Sequence, residues 1–265
     1  MKPLIQKTLS FLLVGSSLAV AAGLISKEEV NKRVSAIVAP YNNQTTAMDI
    51  QFTDLLVNDV RALDFGVKVA IKKKGPENEL ALTIENAKYQ YGDGSAPTAT
   101  ADLVMQTDLK KAFGQETLDQ FGEELDKVAQ ELAADYIKKY GEAAVLDIVM
   151  EDVQKDQQGH LKSVSMRMNA TIDMTKLPAD LKAEDVEVRS IQAALHISTA
   201  GARGNIQVVI NPAYKGFASE QTGMKELIEK LLSDDRETYD SLAKIVESLD
   251  GFANWFVNQK AEDEQ

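Results

Sequence analysis

Apolar and polar residues alternate with period two over eight stretches of this chain and recur at three-or-four spacing over three others. Ser26-Lys-Glu-Glu29 reads as a capping box, in which the Ser26 oxygen accepts from the third helical amide and Glu29 reaches back to the Ser26 amide. Val30, Val34 and Ile37 follow at helical spacing and Pro40 ends the run, which predicts a short helix over 27–39. Met48, Ile50 and Phe52 then alternate with polar residues, as do Leu63, Phe65, Val67, Val69 and Ile71. A third alternation begins at Leu80, Leu82 and Ile84 and continues in the opposite phase as Ala87, Tyr89 and Tyr91, the mark of a β-bulge. Ala101, Leu103 and Met105 predict a fourth strand.

A helical stretch follows over about 108–140. Leu118, Phe121, Leu125, Val128, Leu132 and Tyr136 form its stripe, Gly114 separates a short first turn, and Gly141 stands at the C-cap. The pattern then restarts. Leu146, Ile148 and Met150 alternate, and Val164, Met166, Met168, Ala170, Ile172 and Met174 form the longest clean alternation. Val186 and Val188 change phase to Ile191, Ala193, Leu195 and Ile197, again a bulge in a third strand. Gly201-Ala-Arg-Gly204 reads as a hairpin turn before Ile206, Val208 and Ile210. Helix resumes over about 219–258, with Leu242, Ile245, Val246, Leu249, Phe252 and Phe256 on its apolar face.

The chain therefore reads as four strands then a helix, twice. Met48-Asp-Ile-Gln-Phe-Thr-Asp-Leu55 also resembles Leu146-Asp-Ile-Val-Met-Glu-Asp-Val153. An offset near one hundred residues is far above solenoid periods, so the expectation is a duplicated fold unit: 26–141 with an N-terminal helix, 142–258, and an acidic tail 259–265. The fold class is α+β, a duplicated antiparallel β-meander plus long amphipathic helix, with a curved sheet wrapped around helices.

Lys2 and Lys7, the apolar run from Leu9 to Ala22 and the small residues of Ala19-Val-Ala21 have the order of a secretory signal peptide, placed at 1–22. Residues 8–26 carry no charge, so an uncleaved anchor is the competing reading, and it alone brings membrane contact. Either way the folded part is expected in the periplasm or secreted.

Composition narrows the chemistry. Acidic residues outnumber basic ones 41 to 29, a net charge of −12, which argues against nucleic acid as a partner. The absence of cysteine removes disulfides, thiolate metal sites and a Cys nucleophile. His160 and His196 lack the spacing of a zinc site, and neither Gly-x-Ser-x-Gly nor a Walker glycine loop occurs. No catalytic residue, metal site or cofactor is expected. Asp49 and Asp147 recur at equivalent places but read as a solvated face. Ser233-Asp-Asp-Arg-Glu237 reads as a helix boundary. Lys72-Lys-Lys74 reads as a solvated strand end, with contact to a lipid phosphate as its other reading. Trp255 and Phe256 read as a packed helix end, with a membrane-touching edge as the alternative.

Strands with one apolar face must cover something, and the helical stripes are the available partners. Two such units in an exported chain resemble the tubular lipid-binding (TULIP) superfamily over about 26–258, by architecture and without a motif. The resemblance implies a lipid or other apolar molecule held between sheet and helices. Six of the eight methionines, Met48, Met105, Met150, Met166, Met168 and Met174, occupy the apolar strand phase, and the flexible thioether suits a deformable pocket as well as a filled core. The expected lining is Phe52, Phe65, Val67, Met150, Met166, Met168 and Met174 on strands, facing Phe121, Leu125 and Val128 on the long helix. The alternative is an envelope structural or protein-interaction module with a fully packed core.

Overall fold

The computed structural model describes residues 26–58, 62–91, 96–217, 226, 230–233 and 235–259. The predicted signal segment and most of the acidic tail lie outside them, as does much of the predicted helix between 218 and 234.

The strands are β1 (Thr46–Asn58), β2 (Ala62–Lys74), β3 (Glu79–Gln90), β4 (Thr98–Gln106), β5 (Ala144–Lys155), β6 (Leu161–Ile172), β7 (Val188–Ser198) and β8 (Gly201–Ile210). The helices are α1 (Lys27–Val38), α2 (Leu109–Phe113), α3 (Gln115–Tyr140) and α4 (Arg236–Val257). All eight strands form one antiparallel sheet in the order β1-β2-β3-β4-β8-β7-β6-β5. The fold is α+β, a curved meander sheet with helices. Each meander ends on an interior strand, and the two last strands pair from Thr98↔Val209 to Gln106↔Gly201. The order thus reads the same from either edge.

The predicted bulges are present and have identifiable causes. In β3 the register slips between Glu85 and Lys88, and Asn86 sits at φ +50. Asparagine tolerates this left-handed conformation better than most residues. Asn86 Nδ2 also donates to Asp102 Oδ2 at 2.6 Å. In β7 the slip falls between Val188 and Ser190. A further bulge in β5, with Asp152 at φ +50, bends that edge strand and was not predicted. The β7–β8 turn is Thr199-Ala200, so Gly201 to Gly204 belong to β8 and not to the turn expected there.

Helix ends follow the sequence signals closely. Ser26 Oγ accepts from the Glu29 amide, but Glu29 turns to Arg33 at 3.0 Å, so only half of the capping box forms. Gly114 breaks α2 from α3 at φ +79, and Gly141 caps α3 at φ +56, where its amide donates to the Ile137 carbonyl. Asp235 caps α4, accepting from the Thr238 amide and hydroxyl. Those two donors hold its carboxyl below the usual range. The acidic run at 233–237 is therefore a helix boundary, as predicted.

The helices cross over. α1 and α4 pack on the first meander, whereas α3, which leaves β4 at the seam, packs on β5 and β6. With 26 residues α3 is about 39 Å long, enough to travel from the seam to the far edge where β5 begins. Each long helix therefore covers the meander that is not its own predecessor. Val30, Val34, Ile37 and Val38 bury the inner face of α1, and burial of each such side chain contributes about 1.5–3 kcal/mol. Asn31 pairs with both the amide (2.7 Å) and the carbonyl (3.0 Å) of Phe52, which satisfies the edge strand at its bulge. At the opposite end, Lys73 is buried against Asp250 of α4 at 2.9 Å.

Candidate functional site

The strand registers place one apolar row across the whole inner face: Ile50, Val69, Ile84, Leu103, Gly204, Leu195, Met166 and Met150. A second row runs from Ala101 through Ile206, Ala193 and Met168 to Ile148. Val69 and Ile84, in the first meander, are buried. From Leu103 to Met150 every residue of the first row is half-buried, and so is every residue of the second row beyond Ala101. The described helices make their main contacts with β1 to β3 and with β5 and β6. Gly204 adds no side chain between Leu103 and Leu195, which lowers the floor of this band. Four interstrand steps from β4 to β5 span about 19 Å.

The ten expected lining residues are all half-buried, but they do not form one group. Phe52 and Val67 are cross-strand partners in the first meander, and Phe65 stacks on the buried Tyr89 at 5.7 Å. Met150 faces Met166, and Met168 lies between Ile148 and Ala193, all in the second meander. On α3, Phe121 and Leu125 pack against the main core together with Met150, and Val128 is half-buried further along. Met174 lies past the end of β6, in a smaller cluster with Tyr136, Tyr140, Ile172 and Val186. Leu103, Ile148, Ala193, Leu195 and Ile206 share the band and were not singled out from sequence. Their phases were visible, but their adjacency depends on the β4–β8 pairing.

The predicted stripe of the long helix faces inward except at Leu132: Leu118 is buried and Phe121, Leu125, Val128 and Tyr136 are half-buried. Ala129 and Tyr140 are buried, while Leu132 stays 50% exposed and Ile137 52% exposed. Ala129 and Tyr140 extend this inward side beyond the predicted stripe. The Tyr136 hydroxyl is buried without a hydrogen-bond partner, and burial pushes the phenol up to about 12.

At its start, α3 is pinned to the β5–β6 hairpin. Asp119 accepts from the Leu161 amide at 2.6 Å and from Gln115 at 3.0 Å, and its second oxygen meets His160 Nδ1 at 2.8 Å. Burial alone would raise the Asp119 carboxyl, but the Leu161, His160 and Gln115 contacts outweigh it and hold the pKa at about 2. A carboxylate depressed on folding stabilises the native state above its unfolded pKa, and that contribution fades as pH falls from 3.8 toward about 2. Asp119→Asn is therefore expected to lower the melting temperature at neutral pH and to flatten its acid dependence over that window. A thermal melt series from pH 6 to 2 measures this, and parallel wild-type and variant curves would refute the latch.

His196 hydrogen-bonds Ser165 at 2.9 Å on the outer face, and Asp49 and Asp147 are exposed there. Among the described residues no cluster of three or more His, Asp or Glu could hold a metal ion, and no helix is long and apolar enough to cross a membrane. No protein-family model matches the chain, and comparison with curated proteins and with solved structures returns no significant match.

Proposed function

We propose that this chain is an exported, non-catalytic binding protein of the periplasm that shelters a lipid or similar apolar molecule between its sheet and helices, in the manner of the tubular lipid-binding proteins. It needs no cofactor. Duplication of a β4-helix unit produced its two halves, a reading supported by the palindromic strand order and the third-strand bulges at Asn86 and in β7 near Arg189. One observation carries the ligand class: the half-buried apolar band from Leu103 to Met150 and from Ile206 to Ile148, which includes Met150, Met166 and Met168. Moving an acyl chain from water onto such a surface gains about 0.8 kcal/mol per buried methylene.

The test is native mass spectrometry of the purified protein, with organic extraction of whatever co-purifies, and titration with the fluorescent fatty acid cis-parinaric acid. A stoichiometric lipid and saturable probe binding are expected. Met168→Trp enlarges the side chain between Ile148 and Ala193 in the second row of the band and is expected to weaken probe binding at least tenfold while the far-ultraviolet circular dichroism stays unchanged. Unchanged binding in a folded Met168→Trp variant overturns this site.

A second reading, an envelope protein-interaction module, is favoured by exposed Leu132 and Ile137 on α3. It predicts a clean apo mass and no probe binding.

A further inference from the structure

The sheet is open, and its two edges, β1 and β5, are finished differently. On β1, asparagine side chains stand in for a further strand. Asn31 meets both the amide and the carbonyl of Phe52, and Asn42 does the same for Met48. Lys27 Nζ adds a bond to the Thr53 carbonyl at 2.9 Å. Among the described residues no side chain seals β5 in this way, and its only strand partner is β6. An unsealed edge is a template for another strand. The bulge at Asp152 confines that template to the first part of β5, from Val145 to Glu151.

Apolar exposure gathers at the same edge. Of the large apolar side chains left exposed among the described residues, Val145 and Val153 belong to β5, and Leu132 and Ile137 to α3. α3 lies along this edge. Asp119 pins its start to Leu161 at the β5–β6 hairpin, and its end leads through a single 3₁₀ turn into β5. It therefore runs antiparallel to β5 and packs on both β5 and β6.

We propose that β5 pairs with β5 of a second copy of this chain, giving a closed two-fold dimer with one continuous sheet. Because β1 is sealed, pairing stops at two copies and no filament grows. Antiparallel pairing about a two-fold perpendicular to the sheet keeps both inner faces on one side, so the two α3 helices lie side by side. A helix seated over β5 and β6 stands half an interstrand step inside β5. Its two-fold mate is then two steps, roughly 10 Å, away, which is the packing distance of helices. Charge agrees with that arrangement. Residues 115–127 carry five acidic groups and one lysine, whereas 128–140 carry two acidic groups and end on Lys138 and Lys139. Antiparallel helices set the acidic start of one against the lysine end of the other. On β5, Glu151 is paired with Arg167 at 3.1 Å. A register centred on Ile148 sets Asp147 opposite Val149 across the two-fold and keeps the acids of the two strands apart. The proposal does not rest on the apolar band.

Sedimentation velocity over a concentration series is expected to show one monomer–dimer equilibrium and no larger species. The chain has no native cysteine, so single cysteines report the interface cleanly. Val149→Cys is expected to join two chains through a short bismaleimide, and Asp49→Cys on the sealed β1 edge is expected to remain unlinked. Leu132→Lys with Ile137→Lys replaces exposed side chains. It is expected to weaken the dimer at least tenfold while the far-ultraviolet circular dichroism stays unchanged. A monomer at every concentration, growth beyond the dimer, or a dimer that Val149→Cys does not link overturns the proposal. So does equal linking through Asp49→Cys, or association unmoved in a folded Leu132→Lys, Ile137→Lys variant.

Discussion

Replacing Asn211 with alanine is expected to cost about 4 kcal/mol of folding stability, the largest single-residue effect in this protein. Asn211 is fully buried at the end of β8. Its Nδ2 donates to the carbonyls of Ala183 and Val186, both at 2.7 Å. Its Oδ1 accepts from Arg189 Nε at 3.2 Å and Nη2 at 3.1 Å, and from the Ala213 amide at 3.2 Å. Alanine leaves two carbonyls, an amide and a half-buried guanidinium without these partners, and each unsatisfied buried group costs roughly 1–3 kcal/mol. Asn211→Asp does not rescue, because a carboxylate oxygen would then face the Ala183 and Val186 carbonyls. Urea denaturation should show a lower midpoint with an unchanged slope. A loss below about 1 kcal/mol would mean that water replaces this network.

The second large effect is expected at Gly201. Its φ of +134 belongs to glycine, and a Cβ there would collide with the Met105 carbonyl across the β4–β8 seam. Gly201→Ala combines backbone strain with a steric clash, each worth about 1–3 kcal/mol, so about 3 kcal/mol is expected in all. The seam is where the two meanders share their sheet, so the damage should be local first. Amide hydrogen exchange of β4 and β8 is expected to accelerate before that of β2 or β6. Uniform acceleration across the sheet would contradict a seam-centred effect.

Much of this architecture is legible in the residue pattern because it is local. Period-two alternation identifies the strands since the pleat itself has period two, and the phase flip after Ile84 becomes the bulge at Asn86. Gly114 and Gly141 end helical segments where a left-handed residue is needed. Two local readings differ from the structure for equally local reasons. Glu29 finds Arg33 nearer than the Ser26 amide, and a two-residue turn leaves Gly201 already in its strand. On α3, the predicted stripe holds at Leu118, Phe121, Leu125, Val128 and Tyr136, while Leu132 stays 50% exposed.

The candidate band was half legible. Met150, Met166 and Met168 were identified by their phase. Their neighbours Leu195, Ile206 and Leu103 were not, because alternation says which face a residue takes and nothing about which strand lies beside it.

By itself, the sequence determined the elements, their faces and their order, since propensity, caps and periodicity act over a few residues. The tertiary structure decided the single sheet, the meeting of β4 with β8 and the exchange of helices between meanders. Those choices rest on long-range pairing and on where 39 Å of helix can reach, and no local pattern encodes them.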